Sequence, residues 1–285
     1  MAEYFALQAA LCFSLSHILI RRGLVTSNAI TGSAISIAVS AVTLWILVPF
    51  FVPLASFFTH AIWYFIVGGV FAPGLGRTLT YMGIERIGVA RSVPISSSSP
   101  IVASLLAVLL IGESWSRLNF IGTSLVICGV FILSRSQTTQ RPWRKADLIF
   151  PILAACSFGI STNLRKLGLM VENLPLMGSA VTATTAFFFT AVTLKAQGGR
   201  LMLNLSGNSL GWFLAAGIAN TIAMLSVFYA LSFGQVVIVE PLINTNPVLT
   251  VILSAIFLRD IEAITLRVVA GAICTVLGTI LVVAS

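Results

Sequence analysis

The sequence predicts an all-α integral membrane protein with ten transmembrane helices arranged as two inverted five-helix repeats. Two observations support this fold class. Charged residues make up only 8% of the 285 residues and hydrophobic residues make up 58%, which is too little charge for a soluble surface. Apolar runs long enough to span a bilayer fill almost the whole chain, and the second half repeats the pattern of the first. Soluble enzymes, nucleic-acid binders and disordered chains are therefore excluded.

Ten apolar runs are separated by charged residues, Gly, Pro or Asn. A spanning helix needs about 20 mostly apolar residues, whereas the strands of a membrane barrel are segments of about ten alternating residues. We therefore expect helices, and the first run, which no basic leader precedes, is expected to be retained rather than cleaved as a signal. The runs cover residues 4–21, 28–52, 60–82, 88–111, 118–134, 147–167, 175–196, 209–231, 236–258 and 266–284.

The most polar segment lies at the midpoint of the chain, from Ser134 to Lys145. We assign residues 1–134 to a first five-helix repeat, 135–146 to a linker and 147–285 to a second repeat. Because each repeat holds an odd number of spans, a single thread through the membrane places the two copies upside down relative to each other. Many secondary transporters have this architecture, with the substrate site near mid-membrane between the repeats.

The two repeats align with shifts of 145 to 149 residues. Two prolines six residues apart recur in the same helix of each half, which biased composition alone seldom produces. The aligned pairs include Ser16 with Ser161, Gly69 with Gly217, Tyr81 with Tyr229, Pro94 with Pro241, Pro100 with Pro247, Gly122 with Gly271 and Gly129 with Gly278.

The first and sixth spans place polar residues among apolar ones. His17 lies in the first span, and Asn163 lies in the sixth beside Ser161 and Thr162. We predict that His17 and Asn163 bind substrate, because polar residues inside the membrane are costly and often functional. The alternative is that each is a structural residue whose hydrogen bonds join neighbouring helices.

The third and eighth spans contribute Arg77, Tyr81, Asn220 and Tyr229. Arg77 is the base that lies furthest inside an apolar run, and an arginine there can clamp a carboxylate through two hydrogen bonds. The alternative is that Arg77 reaches the membrane surface or pairs with Glu85. The two tyrosines are predicted to stack on an aromatic part of the substrate.

The fourth and ninth spans contain the proline pairs. Proline lacks an N–H group and clashes with the preceding turn, so we expect both helices to kink and to leave carbonyl groups free. Each kink would face a polar cavity at an equivalent place in the two halves. The kink residues are Pro94, Pro100, Pro241 and Pro247.

The residues between the prolines are polar in both spans. Ser97 and Ser98 lie in the fourth span, and Asn244 and Asn246 lie in the ninth. We predict that they bind substrate. The alternative is that they only satisfy the freed backbone groups or join helices.

Glu240 is the acidic residue most deeply placed within a run. A carboxylate there could bind protons and couple transport to the proton gradient. The rival interpretation places Glu240 near the membrane surface, because only Val236 to Val239 separate it from the short loop that precedes them. Glu113 and Asp260 fall at the ends of spans, where we expect them to cap the following helices.

Small residues occupy one face of the fifth and tenth spans, at Gly122, Gly129, Gly271, Thr275 and Gly278. Such faces allow close helix contact, either within a monomer or between two copies. A monomer and a homodimer both remain open.

No nucleotide loop, nucleophile elbow or zinc motif is present, and the four cysteines lie singly inside apolar runs. We expect buried free thiols rather than a metal or redox site, no cofactor and no enzymatic activity. Most of the basic residues, which with the eight acidic residues give a net charge of +8, lie between the runs, a pattern that orients membrane helices and does not indicate nucleic acid.

Several short motifs recur in both halves in the same order. They are Gly76 to Arg91, Pro100 with Glu113, Gly122 and Cys128 to Val130 in the first half, and Tyr229, Pro247, Asp260, Gly271 and Gly278 in the second. On these residues the chain resembles the EamA-type ten-helix branch of the drug/metabolite transporter superfamily. Asp260 departs from the pattern, which usually has Glu there. The resemblance implies a secondary transporter of the bacterial inner membrane that exports amino acids, other metabolites or toxic compounds through a central cavity.

The predicted function is therefore export of amino acids or related small metabolites by alternating access. The alternatives are a passive channel and a non-transporting membrane subunit. The charge distribution places the odd-numbered connections in the cytoplasm and both termini outside, whereas the resemblance implies termini inside, and the prediction follows the charges. The basic residues that decide this are Arg21, Arg22, Arg86, Arg91, Arg135, Arg141, Arg144, Lys145, Lys195, Arg200, Arg259 and Arg267.

Overall fold

A computed structural model describes residues 1–23, 25–27, 29–53, 59–87, 95–134, 144–196, 208–257 and 266–284. Those residues form helices and contain no strand, which confirms the all-α prediction for them. The helices Ala61–Gly69 and Gly76–Ile87 are joined by a kinked segment, Val70–Leu75, and a π-helical segment, Ala107–Ile111, follows the helix Ser99–Leu106. The helices are α1 (Ala2–Gly23), α2 (Ala29–Phe51), α3 (Ala61–Gly69), α4 (Gly76–Ile87), α5 (Ser99–Leu106), α6 (Arg117–Ser134), α7 (Ile149–Val171), α8 (Pro175–Ala196), α9 (Ser209–Phe233), α10 (Val236–Ile243), α11 (Asn246–Phe257) and α12 (Leu266–Val283).

Each of the ten apolar runs contains helix in the described part of the chain. Six helical stretches are long and apolar enough to cross a membrane, and four are shorter. Large apolar side chains face outward, such as Phe50 and Leu109, as expected where the surrounding solvent is lipid. The six long stretches are Ala2–Ile20, Thr31–Phe51, Ala61–Thr80, Lys145–Val171, Pro175–Val192 and Ser209–Phe233.

Both proline-bearing segments break into a turn at equivalent positions. In the first half the N–H and hydroxyl of Ser98 bond to the carbonyl of Ile95 at 3.1 and 2.7 Å. In the second half the N–H and hydroxyl of Thr245 bond to the carbonyl of Leu242 at 3.2 and 2.7 Å. These four residues are related by a shift of 147, so the same local structure occurs twice.

The breaks lie at the turns rather than at the prolines themselves. Pro100 lies in the first turn of α5, where the missing N–H costs nothing. Pro241 lies inside α10, which continues through it to Ile243. Pro247 follows the first residue of α11, and Pro94 lies outside the described residues.

The contacts between the halves are reciprocal. The hydroxyl of Ser16 donates to the carbonyl of Ala216 at 2.9 Å, and that of Ser161 donates to the carbonyl of Gly68 at 2.7 Å. Ser16 aligns with Ser161, and Gly68 aligns with Ala216, so the two hydrogen bonds join equivalent residues. Ring contacts exchange in the same way, with Phe213 against Gly23 and Phe65 against Gly168. The first helix of each half therefore packs on the third span of the other.

The glycine faces of α6 and α12 meet within one chain. A Cβ atom added to Gly122 would lie 2.7 Å from the carbonyl oxygen of Gly278, and one added to Gly129 would lie 2.6 Å from that of Gly271. The close contact left open by the sequence is thus intramolecular. The four cysteines are free thiols, but contrary to expectation none is buried, and Cys128 is exposed.

One cluster of buried apolar residues lies toward one end of the bundle. We call this the Ala2 end, because α1 begins there, and we call the other end, where α1 finishes, the Gly23 end. Fully buried residues of the core include Ala6, Val48, Phe65, Leu231 and Val236. All five lie near the Ala2 end of their helices.

Candidate functional site

A cavity of about 360 Å³ lies between the two halves, within the size range of small-molecule sites. On α1, the third span and α7 the core residues lie closer to the Ala2 end and the cavity residues lie further toward the Gly23 end, whereas on α9 and α10 the two sets share Met224, Val227 and Ile243. In α1, for example, Ala6 and Ala9 belong to the core, whereas Phe13 and His17 line the cavity. The polar residues of the lining are His17, Arg77, Thr80, Ser96, Ser97, Ser99, Thr162, Arg165, Asn220, Glu240, Asn244 and Asn246.

Glu240 lies in the cavity wall and is only 7% exposed. Its Oε2 accepts a hydrogen bond from the hydroxyl of Thr162 at 3.1 Å, and its Oε1 lies 3.5 Å from the hydroxyl of Ser99. The structure therefore places Glu240 in the interior of the protein, in the wall of the cavity. Polar partners from α5 and α7 fix the position of the carboxylate.

Arg165, from α7, lines the same cavity. Its Nη2 donates to the carbonyl of Ala72 at 2.7 Å, and its guanidinium lies 5.5 Å from the centre of the Phe228 ring. Nε of Arg165 has no hydrogen-bond partner. Among the described residues no salt bridge joins Arg165 to Glu240, so the cavity contains a cation and an anion that are held apart.

The carbonyl of Ala72 is available because the third span breaks there. Ala72 is extended, with φ −149° and ψ 129°, between helical residues. Pro73 accounts for this conformation, since a proline disfavours the helical region for the residue before it and removes a backbone donor. The hydroxyl of Ser161 also donates to this carbonyl, at 3.2 Å.

Arg77 lies one turn further along the third span. Its Nη1 donates to the hydroxyl of Ser33 at 2.9 Å, which joins α4 to α2, and its side chain lines the cavity. The side chain of Glu85 lies outside the described residues. With Arg165, Arg77 places two cations in one cavity, and either can bind a carboxylate.

A family model for the EamA-like transporter family matches residues 1–135 and 145–284. The chain belongs to the EamA-like transporter family. It is similar to an uncharacterized transporter of Archaeoglobus fulgidus, with 27% identity over 209 residues that cover 73% of this chain and 70% of that protein. A solved crystal structure, described only as that of a protein, superimposes with a TM-score of 0.78 and 14% identity over 98% of this chain and 95% of its own. That likeness shows the fold alone.

In this EamA-like transporter most of the residues predicted from the sequence lie together. The amide of Asn220 donates to the hydroxyl of Ser40 at 3.1 Å, and that of Asn244 donates to the carbonyl of Glu240 at 2.9 Å. Both side chains still line the cavity. The predicted residues found in the lining are His17, Arg77, Ser97, Asn220, Glu240, Asn244 and Asn246.

Three predicted residues lie outside the lining. The hydroxyl of Ser98 bonds to its own turn. The amide of Asn163 donates to the carbonyls of Ala103 and Gly159, both at 2.9 Å, and so joins α7 to α5. The ring of Tyr229 stacks on those of Phe5 and Phe233, with ring centroids 5.3 and 6.4 Å away. The side chain of Tyr81 lies outside the described residues.

Arg165 was not among the site residues predicted from the sequence of this EamA-like transporter. It lies near the end of the sixth apolar run, residues 147–167, where its charge was counted with those that flank a connection, but α7 continues to Val171. The helical spacing of Phe158, Thr162 and Arg165 places these residues on one face, and that spacing is the signal that could have identified Arg165. Glu113 was expected to cap the following helix, and it caps α10 instead. Asp260 lies outside the described residues.

Proposed function

We propose that this EamA-like transporter is a secondary active exporter of amino acids or related small metabolites in the bacterial inner membrane. The observation that supports this function is the cavity in which Arg165 and Glu240 face the same space without pairing. An amino acid has both complementary charges: its carboxylate suits an arginine, and its ammonium group suits the glutamate. A solute with one charge would leave one of the two side chains without a partner.

Alternating access is proposed on the basis of the repeats. Ten spans, in two halves of five, place the repeats in opposite orientations, and the reciprocal contacts of Ser16 and Ser161 are those expected of two equivalent halves. Two such halves can rock about a shared cavity. The distribution of basic residues places the Gly23 end in the cytoplasm.

The test is counterflow of labelled amino acids into proteoliposomes. We expect saturable uptake that is accelerated by unlabelled solute on the other side, which a passive channel does not give. Arg77→Ala and Asn246→Ala should each reduce uptake, whereas Lys195→Ala, an exposed base at the end of α8, should leave it unchanged. Unchanged uptake in both cavity variants would exclude these residues from the site.

Proton coupling through Glu240 is a second part of the proposal. Its carboxylate is the acidic group of the cavity lining and has hydroxyl partners in this structure. We expect a pH gradient to drive uptake in the native protein and to have no effect on Glu240→Gln. Counterflow without a gradient separates coupling from solute binding.

A further inference from the structure

The short corner between α9 and α10 is bound by two charged side chains. Both oxygens of Glu113 accept backbone N–H groups at the start of α10, from Val236 at 2.9 Å and from Val237 at 3.1 Å. Nζ of Lys166 donates to the carbonyls of Leu231 and Gly234, both at 2.8 Å, at the end of α9. We call this set of four hydrogen bonds the corner clasp.

Each charge in the corner clasp has the sign that its helix end requires. The first N–H groups of a helix lack partners and have partial positive charge, and the last carbonyls lack partners and have partial negative charge. A carboxylate on the start of α10 and an ammonium on the end of α9 therefore form charge-assisted hydrogen bonds. Glu113 is only 8% exposed, so removing it would leave buried N–H groups without an acceptor.

The corner clasp joins the two halves of the protein. Glu113 follows the fourth span of the first half, whereas α9, α10 and Lys166 belong to the second half. The corner also lies directly against the start of α1, since a Cβ atom added to Gly234 would lie 2.5 Å from the Cβ of Ala2. The clasp is thus a contact between halves at the Ala2 end.

The Ala2 end is the closed end of the cavity in this conformation. A cluster of buried apolar residues fills that end, and most of the cavity lining lies beyond it toward the Gly23 end, with Met224, Val227 and Ile243 common to both. Ala6 and Ala9 of α1 and Val236, Val237 and Val239 of α10 are among the core residues, with exposed fractions of 0%. α10 also contains Glu240, four residues after the first N–H group bound by the clasp.

We infer that Glu113 and Lys166 are positioning residues for transport, which close the Ala2 end between the two halves and must release the corner before solute can pass that end. This inference rests on the proposed transport by alternating access. It requires that loss of the clasp shift the protein toward a conformation in which the Ala2 end is open. A purely structural cap would instead loosen the whole bundle.

The experiment measures the accessibility of a single cysteine at Ala9. In a protein whose four native cysteines are replaced by serine or alanine, Ala9→Cys is combined with Glu113→Gln or Lys166→Met in oriented membrane vesicles. A membrane-impermeant maleimide is added from the side of the Ala2 end. We expect alkylation to accelerate about tenfold or more in both variants, as expected for loss of charged hydrogen bonds to a buried group.

The controls separate opening from unfolding. Glu172→Gln removes the same charge at the same end, from a residue that does not contact the corner, and should leave the rate unchanged. Glu113→Asp should restore slow alkylation in part. A second reporter, Phe213→Cys, lies buried at the Gly23 end; with the same maleimide added from the side of that end, it should react no faster.

The inference is overturned by either of two results. One is an alkylation rate for Glu113→Gln equal to that of Glu172→Gln. The other is equal acceleration at Ala9→Cys and Phe213→Cys, which would indicate general loosening. Because the assay uses no solute, it gives an answer even if amino acids are not transported, and failure of transport alone would contradict only the proposed function.

A kinetic measurement gives a second readout. Where counterflow is measurable, Lys166→Met should change kcat while KM stays within about twofold, because the clasp does not touch the cavity. Lys166→Arg should recover most of the native kcat. A change in KM alone would contradict a positioning role.

Discussion

The third span of the first half and its counterpart in the second half differ just where they reach the cavity. Both begin alike, since Gly68 and Ala216 each accept a serine hydroxyl from the first helix of the other half. Four residues later the first-half span breaks at Ala72, whereas α9 continues without interruption through Asn220. The packing is duplicated, and the break is not.

Each charged residue of the cavity, like the break at Ala72, is found in one half only. A shift of 147 pairs Glu240 with Val93, and a shift of 145 pairs Arg165 with Ile20. The serines that join the first helix of each half to the third span of the other are therefore present twice, whereas Arg165 and Glu240, which give the cavity its charge, are present once. We infer that the duplicated framework allows movement and that the unpaired residues determine what is bound.

The strongest test of this division replaces the charge of Arg165. Arg165→Gln removes the cation and weakens the bond to Ala72, so we expect kcat/KM for counterflow to fall by about 100-fold or more, as for other losses of a buried charged partner. The control is Ile20→Leu, at the position that aligns with Arg165, and it should change kcat/KM by less than about twofold. Comparable losses in both variants would contradict the distinction.

A smaller effect is expected at Glu240, on selectivity. The native protein should prefer an amino acid over its deaminated carboxylic acid by about 10- to 100-fold, because the latter leaves a buried polar group unpaired. In Glu240→Gln this preference should fall to about twofold. Competition by both compounds against labelled amino acid measures it, and Glu240→Asp is the conservative variant. A preference unchanged in Glu240→Gln would place the ammonium group elsewhere.

Pro73→Ala should make the third span more continuous, like α9, its unbroken counterpart in the second half. Alanine supplies the missing N–H group and allows helical backbone at Ala72, so the carbonyl bound by Arg165 becomes less available. We expect kcat for counterflow to fall by a few fold while the Tm in detergent stays the same or rises. A large fall in Tm would show instead that the break is needed for folding.

Sequence alone was sufficient for the helices of the described residues and for the presence of two broken segments, because long apolar runs and polar segments flanked by prolines have direct physical consequences. It failed where tertiary contacts decide. The run that contains Arg165 was ended at residue 167 and Arg165 was not assigned to the cavity, although the helix continues to Val171. Asn163 was assigned to the cavity, but its amide joins two helices. An asparagine within a span can bind substrate or join helices, and its residue type does not distinguish these two roles. The partner of Glu113 lies in the other half, which local sequence does not reveal.

The smallest predicted effect concerns the duplicated packing itself. Ser16→Ala and Ser161→Ala each remove a hydroxyl that donates across the halves, and such bonds contribute about 0.6 kcal/mol on average in membrane proteins. If the halves are equivalent here, the two variants should lower the free energy of unfolding by similar amounts. The loss should be slightly larger for Ser161, because its hydroxyl also contacts Ala72. That excess should disappear in the Pro73→Ala background, where a helical Ala72 no longer offers its carbonyl. Denaturant unfolding in detergent of each serine variant, with and without Pro73→Ala, measures these differences. An excess that persists there would mean that the break at Ala72 is not what distinguishes the two halves.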